Sequence, residues 1–120
     1  MCIRDSYNAF GFHKALDGIM SIARAADGYV DAQAPWILKK EDPARMEIVL
    51  GVLAEVIRCL AIAIQPVTPD AAAKILDQLE VSKDARLFSH ISADHALKAG
   101  TKIEKPEGVF PRIVQEEAAA

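Results

Sequence analysis

The 120-residue sequence has no glycine-rich phosphate loop. Its six glycines are scattered and none forms a GxGxxG or Walker pattern, so the run of free backbone amides that cradles nucleotide phosphates is not provided. It has only two cysteines, Cys2 and Cys59, far apart and without CxxC spacing, which excludes a disulfide scaffold and a cysteine zinc site and fits a reduced, cytoplasmic protein. Charge of one sign is also lacking. Fourteen Lys and Arg stand against 17 Asp and Glu, for a net charge of −3, so no basic field covers the molecule and a nucleic-acid partner has to be met at a local patch. No apolar signal region opens the chain. The longest apolar run, residues 48–64, carries Glu55 and Arg58 and falls short of the roughly 20 residues that span a bilayer. Neither an internal repeat nor a low-complexity tract is found beyond the last three alanines.

What is present is alanine. Twenty-one residues are Ala and 52% are hydrophobic, a composition that favours closely packed helices over strands and suits one domain. The fold class expected is all-α, a helical bundle. Residues 1–6 share no periodicity with the rest of the chain and are set aside as a leader that is not of the domain. Beyond them, Phe12, Leu16, Ile19, Ala23, Ala26 and Val30 recur in steps of three and four, which predicts an amphipathic helix ending near Gln33. Pro35 disfavours helical geometry at Ala34 and predicts a turn or kink before Trp36.

Asp42-Pro43 is the next start signal, an N-cap acceptor followed by a proline preorganised for the first helical position. Met46, Val49, Leu50, Leu53, Ile57, Leu60 and Ile64 hold a helical stripe up to Pro66, and Ile48, Val52, Val56 and Ile62 make the other faces apolar too. This helix is expected at the centre of the bundle, with Glu55 and Arg58 as its one wet edge. Thr68-Pro69 repeats the cap-then-proline signal for a helix with Ala72, Ile75, Leu76 and Leu79 inward. The pattern then weakens: residues 84–91 read as a short helix and 94–99 as a further turn. Residues 101–114, with Pro106, Gly108 and Pro111, read as an extended strap laid over the bundle, and the tail 115–120 as frayed or weakly helical. The chain thus divides into a leader at 1–6, a helical domain at 7–100, and a strap and tail at 101–120.

Candidate chemistry is sparse. His13 lies beside the first apolar stripe, and His90 and His95 fall five residues apart in an irregular segment with Asp94, poor spacing for a metal site. They read as surface histidines. Cys59 sits among apolar neighbours and reads as a small hydrophobe instead of a nucleophile. Glu41-Asp42 and Glu116-Glu117 read as helix start and solvated tail. One segment, residues 31–43, is not explained by composition: it sets the only Trp of the chain, Trp36, directly after Pro35, with Lys39 and Lys40 one turn later. Trp36 either plugs the space between the first two helices or offers its indole to an unpaired base, with a lysine near a phosphate.

Several stretches carry a family resemblance. Three are Phe12-His13-Lys14-Ala15-Leu16, Tyr29-Val30-Asp31-Ala32-Gln33-Ala34-Pro35-Trp36 with Leu38-Lys39-Lys40, and Asp42-Pro43-Ala44-Arg45-Met46. The others are Gln65-Pro66-Val67-Thr68-Pro69, Lys74-Ile75-Leu76-Asp77-Gln78-Leu79 and the closing Gly108-Val109-Phe110-Pro111-Arg112-Ile113. Nearly everything from Tyr7 onward resembles the C-terminal anticodon-binding domain of bacterial methionyl-tRNA synthetases, a class I synthetase helical bundle, although the family usually has Leu where Val109 stands. The Pro-Trp corner alone is shared with the synthetases for valine, leucine and isoleucine, which stay as alternatives; the Gln-Pro-Val-Thr-Pro break and Phe-Pro-Arg-Ile end favour methionine.

The resemblance implies that Trp36, next to Pro35, takes part in holding the tRNA anticodon loop; Lys39 or Lys40, read from its spacing after Trp36, is the candidate phosphate contact. It also implies a catalytic domain of the same enzyme as partner, with His-x-Gly-His and Lys-Met-Ser-Lys-Ser motifs that this sequence lacks, and a preceding helix that supplies Asn and Arg to the bases. ATP belongs to that full-length enzyme. This chain carries no cofactor or catalytic group, is expected to be inactive alone, and has no membrane partner. A stand-alone helical interaction module without RNA binding is the competing reading, favoured by the acidic balance.

Overall fold

The computed structural model describes residues 3–103 and 105–114. Cys2, the Glu116 and Glu117 pair and the tail from residue 115 lie outside them. Five α-helices follow in order: α1 (Ile3–Asn8), α2 (Phe12–Gln33), α3 (Pro35–Glu41), α4 (Pro43–Ile64) and α5 (Pro69–Gln78). There are no strands among the described residues. The all-α expectation holds.

Helix α2 forms along the predicted stripe: Ile19 is buried, Leu16, Ala23, Ala26 and Val30 are half-buried, and Phe12 alone of the stripe turns to solvent. It runs into a one-residue corner at Ala34, then α3, then α4, which packs against α2, α3 and α5. The proline and cap signals of α4 act as the sequence predicts. Pro43 occupies its first turn, and the Asp42 carboxylate accepts the Arg45 amide at 3.2 Å, satisfying one of the orphan donors of the helix start. For α5, Pro69 sits in the first turn but the Thr68 side chain makes no cap hydrogen bond, so the fixed proline geometry and the Asp70 charge at the positive end of the helix dipole favour the start there.

The core is built of small residues. Ala15, Ala61, Ala63 and Ala72 are buried alongside Ile19, Val49, Ile62, Leu76 and Leu79, and side chains this small let helix backbones approach closely. The inward face expected for α5 is observed, with Ala72, Leu76 and Leu79 buried and Ile75 half-buried. Helix α5 ends in a Schellman motif: the Val81 amide reaches the Leu76 carbonyl at 3.0 Å and the Glu80 amide that of Asp77 at 3.1 Å. Val81 then packs on the Ala61, Ile62 and Leu76 cluster, the apolar contact that usually accompanies this ending.

Four expectations are corrected. The segment set aside at 1–6 is not separate from the fold, because residues 3–8 wind into α1 and pack on α2. Its Ile3 lies so close that a Cβ on Gly18 would stand 3.1 Å from Ile3 Cγ1. Tyr7, at the end of that helix, donates to the Ala63 carbonyl at 3.0 Å and sets its ring edge-on to Phe88. Second, Arg58 is not on a wet edge: it is 1% exposed, the largest fully buried side chain. Third, α4 is not enclosed on all sides in this chain, since Ile48, Leu50, Val52 and Ile57 remain exposed.

Fourth, the segment after Val81 forms no α-helix but three 3₁₀ turns, at Lys83–Ala85, Phe88–His90 and Ala93–His95. Side-chain hydrogen bonds hold it. Gln65 Nε2, just past α4, donates to the Arg86 carbonyl at 2.7 Å, and Arg86 Nη2 donates to Val81 O at 2.7 Å and to Asp77 Oδ1 of α5 at 2.6 Å. The strap is extended and largely exposed at its described residues, 101–103 and 105–114. It is clipped to α5 by Gln78, whose side-chain amide both donates to the Glu107 carbonyl and accepts its amide, each at 3.0 Å.

Candidate nucleic-acid interface

The turn that Pro35 imposes is made by Ala34, which adopts φ 44° and ψ 66°. Its amide still closes the last turn of α2 on Val30 O at 2.9 Å, and its carbonyl opens α3 by accepting the amides of Ile37 at 2.9 Å and Leu38 at 3.1 Å. One residue therefore ends one helix and starts the next. A left-handed conformation at a residue with a Cβ costs about 1 to 2 kcal/mol, and such strain persists where the surroundings over-determine it.

Pro35 occupies the first turn of α3 and is half-buried, and Leu38 is half-buried on the side that packs on α4. Trp36 is on the opposite side, 58% exposed. An indole that open does not fill an interhelical space. Lys39 and Lys40 follow it by three and four residues in the last turn of α3 and are both exposed. Residues at that spacing share one helix face, so the corner presents an aromatic plane with two ammonium groups beside it. The negative end of the helix dipole favours cations in that last turn.

The feet of this excursion are joined by groups that sequence reasoning passes over. Arg45, exposed on the first turn of α4, donates from Nη2 to Gln33 Oε1 at the last residue of α2, at 3.0 Å. Its own amide is the one held by Asp42. The only trace in the sequence is the Asp42-Pro43-Ala44-Arg45 run, which marks a helix start without naming the partner.

The other candidates resolve differently. His90 and His95 are brought together, ring centroids 4.6 Å apart. However, His90 Nδ1 accepts the Leu87 amide at 3.0 Å, which places its ring proton on Nε2 and leaves no lone pair there for a metal. His95 Nδ1 is paired with Ser92 Oγ at 2.9 Å, and no group of three or more His, Cys, Asp or Glu fit to hold a metal occurs among the described residues. Cys59 is half-buried, 3.8 Å from Glu55 Oε1. Burial and the Glu55 carboxylate outweigh Arg58 and push its thiol up, the opposite of what an activated nucleophile needs. No helix is long and apolar enough to cross a membrane among the described residues.

Residues 2–120 match the family model for the anticodon binding domain of methionyl tRNA ligase. The chain is 50% identical over 109 residues to a methionine–tRNA ligase of Mesorhizobium japonicum, covering 91% of this chain and 21% of that protein. It is 48% identical over 101 residues to that of Rickettsia felis, covering 84% and 20%. Among solved structures, it resembles the free methionyl-tRNA synthetase of Mycobacterium tuberculosis with a TM-score of 0.88 at 37% identity, over 95% of this chain and 23% of that one. The same enzyme bound by methionyl-adenylate gives 0.85 at 38% identity, over 91% and 22%. The chain spans about a fifth of the length of the curated relatives it matches.

Proposed function

Because the chain belongs to the anticodon-binding domain family of methionyl-tRNA ligases, we propose that it holds the anticodon loop of a tRNA, with Trp36 as a stacking platform for an unpaired base. Membership of this family sets aside the valine, leucine and isoleucine alternatives. Pro35 fixes the backbone that presents the indole, and Lys39 or Lys40, exposed in the last turn of α3, is the candidate contact for a phosphate of the same strand. The observation that carries this reading is the exposure of Trp36 on a face that it shares with two lysines. Unpaired RNA bases are held by stacking on aromatic rings with cationic groups tracking the backbone, and an acidic chain restricts RNA contact to such a corner.

In the full-length ligase, this grip would set the tRNA so that its acceptor end reaches an ATP- and methionine-using catalytic domain. Titrating the chain with an anticodon stem-loop RNA of a methionine tRNA tests the reading, since Trp36 is the single tryptophan and reports its own contact. Saturable quenching is expected, with Trp36→Ala weakening binding by about 1 to 3 kcal/mol, the worth of one base–aromatic stack. Absence of saturable binding by the wild-type chain would instead support a helical interaction module without RNA affinity.

A further inference from the structure

We propose that Arg45 is a positioning residue for the Trp36 platform, acting through its hydrogen bond to Gln33; this rests on the reading of Trp36 as the RNA contact. Helix α3 is a seven-residue excursion whose entry is the left-handed Ala34 and whose exit is Asp42. Helix α3 rests on α4 on one side only, and no described residue covers its outer face: Trp36, Ile37, Lys39 and Lys40 are all exposed. Arg45 closes the excursion from outside, reaching from the first turn of α4 to the last residue of α2, 12 positions back, at 3.0 Å. It is itself fixed at its root, because its amide is held by Asp42 at 3.2 Å.

The hydrogen bond thus spans both feet of the loop that carries the indole and ties the end of α2 to the start of α4 beside the strained corner. Holding a stacking surface in place before RNA arrives reduces the ordering cost of binding. Arg45 acts at one remove from the RNA, and its effect passes through Gln33.

A double-mutant comparison separates this role from a direct phosphate contact. The variants are Arg45→Gln, Gln33→Ala and the two combined, each checked by circular dichroism for retained helix. In the free chain, fluorescence anisotropy decay of Trp36 is expected to show faster local motion, alike in all three. With the anticodon stem-loop, each single variant is expected to bind about threefold to tenfold more weakly, and the double variant no more weakly than either single one. Unchanged Trp36 anisotropy in both single variants overturns the proposal. So does normal binding by Gln33→Ala combined with weak, less salt-dependent binding by Arg45→Gln, which would make Arg45 a phosphate contact. Should the wild type fail to bind the stem-loop, the reading of Trp36 is lost, and the anisotropy comparison still decides whether the tie orders the corner.

Discussion

Arg58 Nε lies 3.0 Å from both carboxylate oxygens of Glu55, one turn earlier on α4. From the same guanidinium, Nη1 donates to the His90 carbonyl at 2.9 Å and Nη2 to that of Ser92 at 3.4 Å, while Glu55 Oε2 accepts the Leu97 amide at 3.0 Å. This pair is the peg on which the irregular segment hangs. Burying an arginine is costly unless each donor is met, and here the Glu55 carboxylate meets Nε while backbone carbonyls of the 3₁₀ segment meet Nη1 and Nη2. Arg58→Met removes the partner of Glu55 and releases that segment, and is expected to lower stability by about 3 kcal/mol, the lower end for a broken buried pair, because the Glu55 side chain keeps 30% exposure. Urea denaturation measures it. A loss under about 0.5 kcal/mol, the scale of an exposed pair, would contradict the burial.

Acid stability derives from the same pair. Burial raises the Glu55 pKa, but hydrogen bonds from Arg58 and from the Leu97 amide outweigh it and hold the carboxyl below its ordinary value of 4.5. A depressed folded pKa means that the unfolded chain binds the proton more readily, so the stabilisation is fully present above pH 4.5 and is lost as pH falls through the folded value. Asp77, held down by its hydrogen bond from Arg86, has the same sign. The stability difference between wild type and Glu55→Gln is therefore expected to be largest near neutrality and to shrink steadily below pH 4.5. A difference that does not change with pH would show that the carboxylate charge contributes nothing.

Glu80 occupies the left-handed position of the Schellman motif, φ 56°, where glycine meets no steric penalty. Replacing it removes a strain of about 1 to 2 kcal/mol but adds about 0.4 to 1 kcal/mol of unfolded-chain entropy that folding must overcome. Glu80→Gly is accordingly expected to stabilise the chain by about 0.5 to 1 kcal/mol, read as a rise in thermal midpoint. A fall would mean that the Glu80 side chain contributes more than its backbone strain removes.

These elements differ in how plainly the sequence announces them. The α5 stripe, the Asp42 cap and the turn before Trp36 are set by residues within a turn or two of one another, so periodicity and local chemistry suffice. Arg58 reads as solvent-facing in the sequence because its partners include backbone carbonyls 32 and 34 residues away, and a carbonyl leaves no mark on residue identity. Helix α1, at six residues, is too short for a period to show. At the candidate site, Trp36, Pro35, Lys39 and Lys40 stand out in the chain, whereas the Arg45 to Gln33 hydrogen bond joins two polar residues whose spacing of 12 carries no pattern.

The proposed roles of Trp36 and the lysines are separable by salt. Neutralising one phosphate of a single strand contributes a slope of about −0.7 to the logarithm of the association constant against that of salt, whereas base stacking adds no counterion release. Lys39→Ala combined with Lys40→Ala is expected to flatten the slope for the anticodon stem-loop by about 0.7 if one lysine meets a phosphate and about 1.4 if both do. Trp36→Ala is expected to weaken binding at every salt concentration with the slope retained. Equal slopes in wild type and the double lysine variant would leave Lys39 and Lys40 as solvated charges, placed in the last turn of α3 by the helix dipole alone.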